Sequence, residues 1–213
     1  MPGPPKPPTS TTSSIRTKIG FRTVTWHDGV FRINGERVFL RGVNRHEHDP
    51  DHGRAVPAWR RTQDADLMRS HHVNAVRTSH YPPHPKWLDE CDAGFYTILE
   101  NDYETHGFEF ASGGGEPWED NPSSDPRWVP ALMDRIARTY HRDKNRPSVV
   151  IWSLGNEAGT GPNLKAMADW LRAQDPTRPV HYEGDHAGEY TDLYSRMYAG
   201  LDECRLIATR EDG

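Results

Sequence analysis

Five polar clusters along this chain hold side chains that can do chemistry: Asn44-Arg45-His46-Glu47-His48, Ser79-His80-Tyr81, Glu104-Thr105-His106-Gly107, Asn156-Glu157 and Tyr198. The clearest is the apolar run Ile151-Trp152-Ser153-Leu154-Gly155, which ends in Asn156 and Glu157. A carboxyl group so placed can act as a general acid when burial or a neighbouring negative charge raises its pKa toward the working pH. The Asn156 amide can donate to a ligand hydroxyl. Read alone, Asn156-Glu157 also fits a helix N-cap with an acidic first turn, and a single His or Glu after a strand is usually a solvated loop residue. Consecutive residues on a strand point to opposite faces, which weighs against a zinc site built from His46, Glu47 and His48.

The elements that must position these groups alternate. After Ile19, β-rich runs are separated by turn dipeptides, and Asn34-Gly35 predicts a short β-hairpin. Strands are expected at Val38–Val43, Asn74–Thr78, Tyr96–Leu99, Val149–Ser153, Val180–Tyr182 and Leu193–Ser195. Helices are expected between them at Trp59–His71, Pro85–Ala93, Pro126–Asp143 and Asn163–Gln174, with Ser124 and Asp125 as caps ahead of Pro126. Strand and helix in alternation imply parallel strands with helical crossovers. In such a barrel the carboxyl ends of the strands share one face, so clusters that follow different strands converge there. Residues 108–124, with Gly113-Gly114-Gly115, read as a long loop. Residues 1–18, rich in Pro, Ser and Thr, read as a disordered leader, and 19–213 as the folded unit.

The bulk numbers exclude several partners. With 26 basic and 31 acidic residues and a formal charge of −5, the chain has no basic stripe for nucleic acid or an anionic membrane. No apolar run approaches the ~20 residues of a membrane span. Two cysteines make neither a disulfide framework nor a metal knuckle, which fits the cytoplasm.

The motifs RGVNRHEH (41–48), RTSHYPPHP (77–85), ETHG (104–107), NRPSVVIWSLGNEAG (145–159), DPTRPVHYEG (175–184) and MYA (197–199) occur in order. Together they resemble the β-galactosidase branch of glycoside hydrolase family 2, from about Ile19 to Tyr198. The resemblance implies an α/β fold of the (β/α)8 TIM-barrel type, here incomplete at about strands 1–6, that hydrolyses terminal β-galactosides such as lactose with retention. It implies Glu157 as acid/base, Asn156, His46, His80 and Tyr198 as substrate-binding residues, and Glu104, His106 and Glu157 as ligands of Mg2+. A hard cation suits the two carboxylates, although spacing alone does not name the metal.

Two departures accompany the resemblance. Leu99-Glu100-Asn101-Asp102 stands where many relatives begin the motif with Asp-Glu, so Glu100 alone of that pair is kept. The nucleophilic glutamate of relatives follows a seventh strand, beyond Gly213, and Glu183 and Glu189 lie in the wrong motifs to replace it. Retention needs a carboxylate pair ~5–5.5 Å apart, so the chain is expected to hold the acid/base half and to be little active alone. Other readings are a carbohydrate-binding module using the aromatics of SHYPPHPKW and WHDG, a complementing or self-associating fragment with open barrel edges, or a β-glucuronidase or β-mannosidase of the same family, which generally lack the ETHG motif. A stacking module would tolerate Glu157→Gln, whereas an acid/base would not.

Overall fold

The computed structural model describes residues 19–106 and 120–209. The leader at 1–18 and most of the 108–124 loop lie outside the described residues.

The chain opens with a three-stranded antiparallel sheet, β1 (Val24–His27), β2 (Val30–Ile33) and β3 (Glu36–Arg37). Asp28-Gly29 and Asn34-Gly35 each place two successive residues at positive φ (55° and 69°, 52° and 84°), the geometry that matches the right-handed twist of a tight hairpin. The expected single hairpin is therefore a meander of two. The residues after Asn34-Gly35 belong to it, which moves the first barrel strand from Val38–Val43 to β4 (Gly42–His46).

Four β/α repeats follow: β4, α1 (Ala58–Ser70), β5 (Ala75–Ser79), α2 (Pro85–Asp92), β6 (Tyr96–Glu100), α3 (Val129–Asp143), β7 (Val149–Ser153), α4 (Pro162–Gln174) and β8 (Val180–His181). The strands pair in parallel in chain order, the topology of an incomplete barrel. A single 3-10 turn, Pro126–Trp128, precedes α3, and the Asp125 carboxylate caps it by accepting from the Arg127 amide at 2.9 Å. Ser124 does not share that role; its hydroxyl donates to the Thr160 carbonyl.

Leu193–Ser195 is not a strand. The Asp192 amide donates to the Val180 carbonyl at 2.8 Å and the Asp192 carboxylate accepts from the Val180 amide at 2.7 Å, so a side chain occupies the position the next ladder bond would take. Five parallel strands result in place of the six expected. A last helix, α5 (Leu201–Thr209), ends the described chain.

Two cores hold the sheet. On its helix side, Trp87 and Leu88 of α2, Leu132 and Ile136 of α3, and Leu164 and Met167 of α4 bury Val76, Leu99, Val149 and Trp152. On the other side, Val24, Ile33, Trp26 and Phe31 of the small sheet cover Ile98, Val150 and Ile151. The meander thus packs on the parallel sheet as a second apolar cluster, apart from the helices. β7, covered on both faces, is buried at all five positions, which is why its sequence is a continuous apolar run and not an alternating one. Among the described residues no helix is long and apolar enough to cross a membrane. Cys91 is buried and Cys204 exposed, both unpaired, and burial pushes the Cys91 thiol up to about 12.

Candidate active site

Four of the five polar clusters, all but Tyr198, converge at the carboxyl ends of the strands. They begin earlier than expected, because the ladders run to their limits: His46 pairs with Ser79 as the last register of β4 and β5, and Glu100 pairs with Ser153 at the ends of β6 and β7. Alternation then sorts each cluster by face. Arg45 and Glu47 point to the helix side, where Arg45 stacks 3.8 Å above the Trp87 ring and pairs with Glu47 at 2.8 Å and Asp64 at 2.9 Å. His46 points the other way and meets His80 edge to face at 5.2 Å between ring centroids. Glu47 is thus withdrawn from any shared site with His46 and His48, and the zinc alternative fails on geometry.

Beyond β6 and β7 the two chains stay paired. The Asn156 amide donates to the Tyr103 carbonyl at 2.9 Å, and Glu104 and Asn156 form an isolated parallel bridge. That bridge brings Glu104 beside Glu157. The Asn156 side-chain NH2 donates to Glu104 Oε1 at 2.7 Å, and His106 Nδ1 faces Glu157 Oε2. One ligand atom each of Glu104, His106 and Glu157 lies within 4.8 Å of the others, the only such group of His, Cys, Asp or Glu among the described residues.

Gly155 makes this approach possible, since a Cβ there would stand 2.4 Å from the Tyr103 carbonyl oxygen. Gly155→Ala is expected to push the two segments apart and to destabilise the fold by about 1–3 kcal/mol, measured by thermal melting. An unchanged melt would mean that the crossing relaxes without cost.

Glu157 itself has φ of 39°, a left-handed conformation uncommon for Glu, and costly unless its surroundings hold it. Two contacts flank it: the Glu183 carboxylate accepts from the Glu157 amide, and the Tyr182 hydroxyl accepts from the Ala158 amide at 2.9 Å. Glu157, Tyr182, Glu183, His186 and Met197 line a cavity of about 400 Å3.

The structure therefore gathers His46 with His80, and Asn156, Glu104 and His106 with Glu157. It does not gather Tyr198, whose side chain is 94% exposed although Met197 beside it lines the cavity. Burial, and then the neighbouring His80, holds the His46 pKa below the ordinary imidazole value. Reading the sequence missed roles for Arg77, Glu100 and Glu183. The usable signal was charge inside apolar strand sequence, as in Ala75-Val76-Arg77 and Ile98-Leu99-Glu100, because a buried charge needs a built partner.

Parallel β/α units with carboxylates gathered at the carboxyl ends of their strands define the partial TIM-barrel class. The family model for "Glycosyl hydrolases family 2, TIM barrel domain" matches residues 24–210. The chain belongs to that family. It is 53% identical over 177 residues to a beta-galactosidase of Arthrobacter sp. (strain B7), and 46% identical over 187 residues to one of Yersinia enterocolitica, covering 83% and 87% of this chain. The chain spans 17% of the length of each. Among solved structures, a β-D-glucuronidase of Dictyoglomus thermophilum superposes with TM-score 0.66 at 28% identity, over 78% of this chain and 29% of that one. β-Glucuronidase 3 of Bacteroides uniformis gives TM-score 0.71 at 24% identity, over 90% and 25%, a likeness of fold.

Proposed function

We propose that this chain carries the acid/base half of a retaining β-galactosidase site, with terminal β-galactosides such as lactose as substrates. The observation that carries the reading is the meeting of Glu157 with Glu104, His106 and Asn156 at the end of β7. In this reading Glu157 protonates the leaving glycosidic oxygen, Asn156 donates to a sugar hydroxyl, and His46 and His80 flank the sugar, while the exposed Tyr198 stands outside this arrangement. Retention needs a second carboxylate ~5–5.5 Å from Glu157, and among the described residues β4 and β8 are the outer strands beside which further barrel strands would pair. Two unpaired cysteines suit the cytoplasm.

The β-galactosidase reading is favoured over a β-glucuronidase one by the 53% and 46% identities to β-galactosidases, against 28% to the Dictyoglomus β-glucuronidase. It is tested by hydrolysis of nitrophenyl β-galactoside, β-glucuronide and β-mannoside side by side, with the chain complemented by the rest of a family barrel. Turnover confined to the glucuronide would sink it.

Glu104, His106 and Glu157 would hold Mg2+. Two carboxylates within reach of one point suit a hard cation, while one imidazole makes the set less than ideal for it. Bound there, the cation would supply positive charge beside the acid/base. Calorimetric titration of the chain is expected to show weak Mg2+ binding, lost in Glu104→Ala. Tight zinc binding with no response to Mg2+ would contradict the assignment.

A further inference from the structure

Glu100, the last residue of β6, is 0% exposed and has no place in the acid/base chemistry. Its Oε2 accepts from Arg77 Nε at 2.5 Å and from the Ser153 hydroxyl at 2.8 Å, while Oε1 faces His80 Nδ1 at 2.5 Å. Arg77 reaches onward, donating from Nη2 to Asn156 Oδ1 at 2.9 Å. One carboxylate thus touches His80 directly and Asn156 through a single guanidinium.

Donor counting places the protons. Ser153 has one hydroxyl hydrogen and spends it on Glu100, so its 2.9 Å contact with His181 Nδ1 requires a proton on that nitrogen. His181 Nε2 is then a lone pair, which accepts from the Ser195 hydroxyl at 3.2 Å. Burial, and then the Arg77 charge, push His181 down to about 3, so the ring is neutral. On the other side, Oε1 of Glu100 offers only lone pairs, so His80 Nδ1 carries a proton and Nε2 is the ring atom left for a ligand. Arg77 cannot accept, which also fixes the Asn156 amide with its oxygen toward Arg77 and its NH2 toward Glu104.

We propose that Glu100 is a positioning residue for sugar binding, holding His80 with Nδ1 protonated and, through Arg77, setting the orientation of the Asn156 amide. This deepens, and rests on, the galactoside reading.

The test uses the full chain labelled with 15N-histidine, as wild type and as Glu100→Gln. In the variant the amide oxygen must stay on Arg77 and Ser153, which only donate to it, so the NH2 turns toward His80 Nδ1. His80 is then expected to switch to the Nε2–H tautomer, read in long-range 1H–15N spectra. Affinity of the barrel, complemented as above, for isopropyl β-D-thiogalactoside is expected to fall by about 10–100-fold, the worth of a charge-assisted hydrogen bond. A His80 that keeps its Nδ1 proton in the variant overturns the proposal, as does a switch with unchanged affinity. Should Glu100→Gln fail to fold, Ser153→Ala decides: it removes one hydroxyl, and is expected to release His181 from its single tautomer while His80 stays Nδ1-protonated. Loss of the His80 Nδ1 proton there overturns it too. A wild-type complemented barrel that binds no thiogalactoside removes the galactoside reading and the sugar-orienting half of the proposal, while the tautomer contrast still decides the proton placement.

Discussion

Replacing Glu157 by Gln is expected to lower β-galactoside hydrolysis by about 10²–10⁴-fold in the complemented barrel, the usual contribution of a positioned general acid. The substitution keeps size and hydrogen bonding but removes the transferable proton. The fold is expected to survive, because the contact that steadies this corner is made by the Glu157 backbone amide, which donates to Glu183. The loss should depend on the leaving group. A nitrophenolate departs readily without protonation, so aryl galactosides should lose less than lactose, whose leaving sugar needs the proton. The measurement is kcat/KM for both substrates in wild type and variant, with thiogalactoside affinity as control. An equal loss for both, or full activity in the variant, would remove Glu157 from the acid role.

The largest expected loss of stability lies away from this site, at Asp175. Its carboxylate accepts from the Trp152 indole N–H at 2.9 Å and from the Thr177 hydroxyl at 2.5 Å, and it pairs with Arg178, which stacks 4.3 Å over the Trp152 ring. Arg178 is 6% exposed, so Asp175→Ala leaves a buried guanidinium unpaired. The expected cost is about 3–5 kcal/mol. Against a total stability of ~5–15 kcal/mol, the thermal midpoint should fall by roughly 6–20 °C or the chain should not fold.

Acid should act in the same direction. Burial alone would raise the Asp175 pKa, but the hydrogen bonds from Thr177 and Trp152 and the Arg178 charge outweigh it and hold the group below its ordinary value. A carboxylate with a lowered folded pKa stabilises at pH above its unfolded value of ~3.9, and that contribution fades as pH falls through the folded value. Asp175→Asn should therefore flatten part of the acid limb of the stability curve below about pH 4. An acid limb identical to wild type, measured by denaturant midpoint against pH, would show that Asp175 contributes nothing to it.

The strand and helix alternation was legible because each element advertises itself locally. The apolar run before Glu157, the prolines opening helices and the Asn34-Gly35 turn are properties of a few adjacent residues, and helices α1 to α4 fall within a residue or two of expectation, α3 after its 3-10 turn. Ordered motifs likewise carried the family and singled out Glu104, His106, Asn156 and Glu157. What no local pattern contained was register. Whether Val38–Val43 or Gly42–His46 forms the first barrel strand depends on which residues the meander consumes and on pairing with β5. Whether Leu193–Ser195 extends the sheet depends on the Asp192 carboxylate capping Val180. Register also decided that Arg45 and Glu47 leave the site while His46 stays, since a strand sends neighbours to opposite faces. The roles of Glu100, Arg77 and Glu183 arise only when β5, β6, β7 and β8 lie side by side, because a buried charge acquires its meaning from partners distant in the chain.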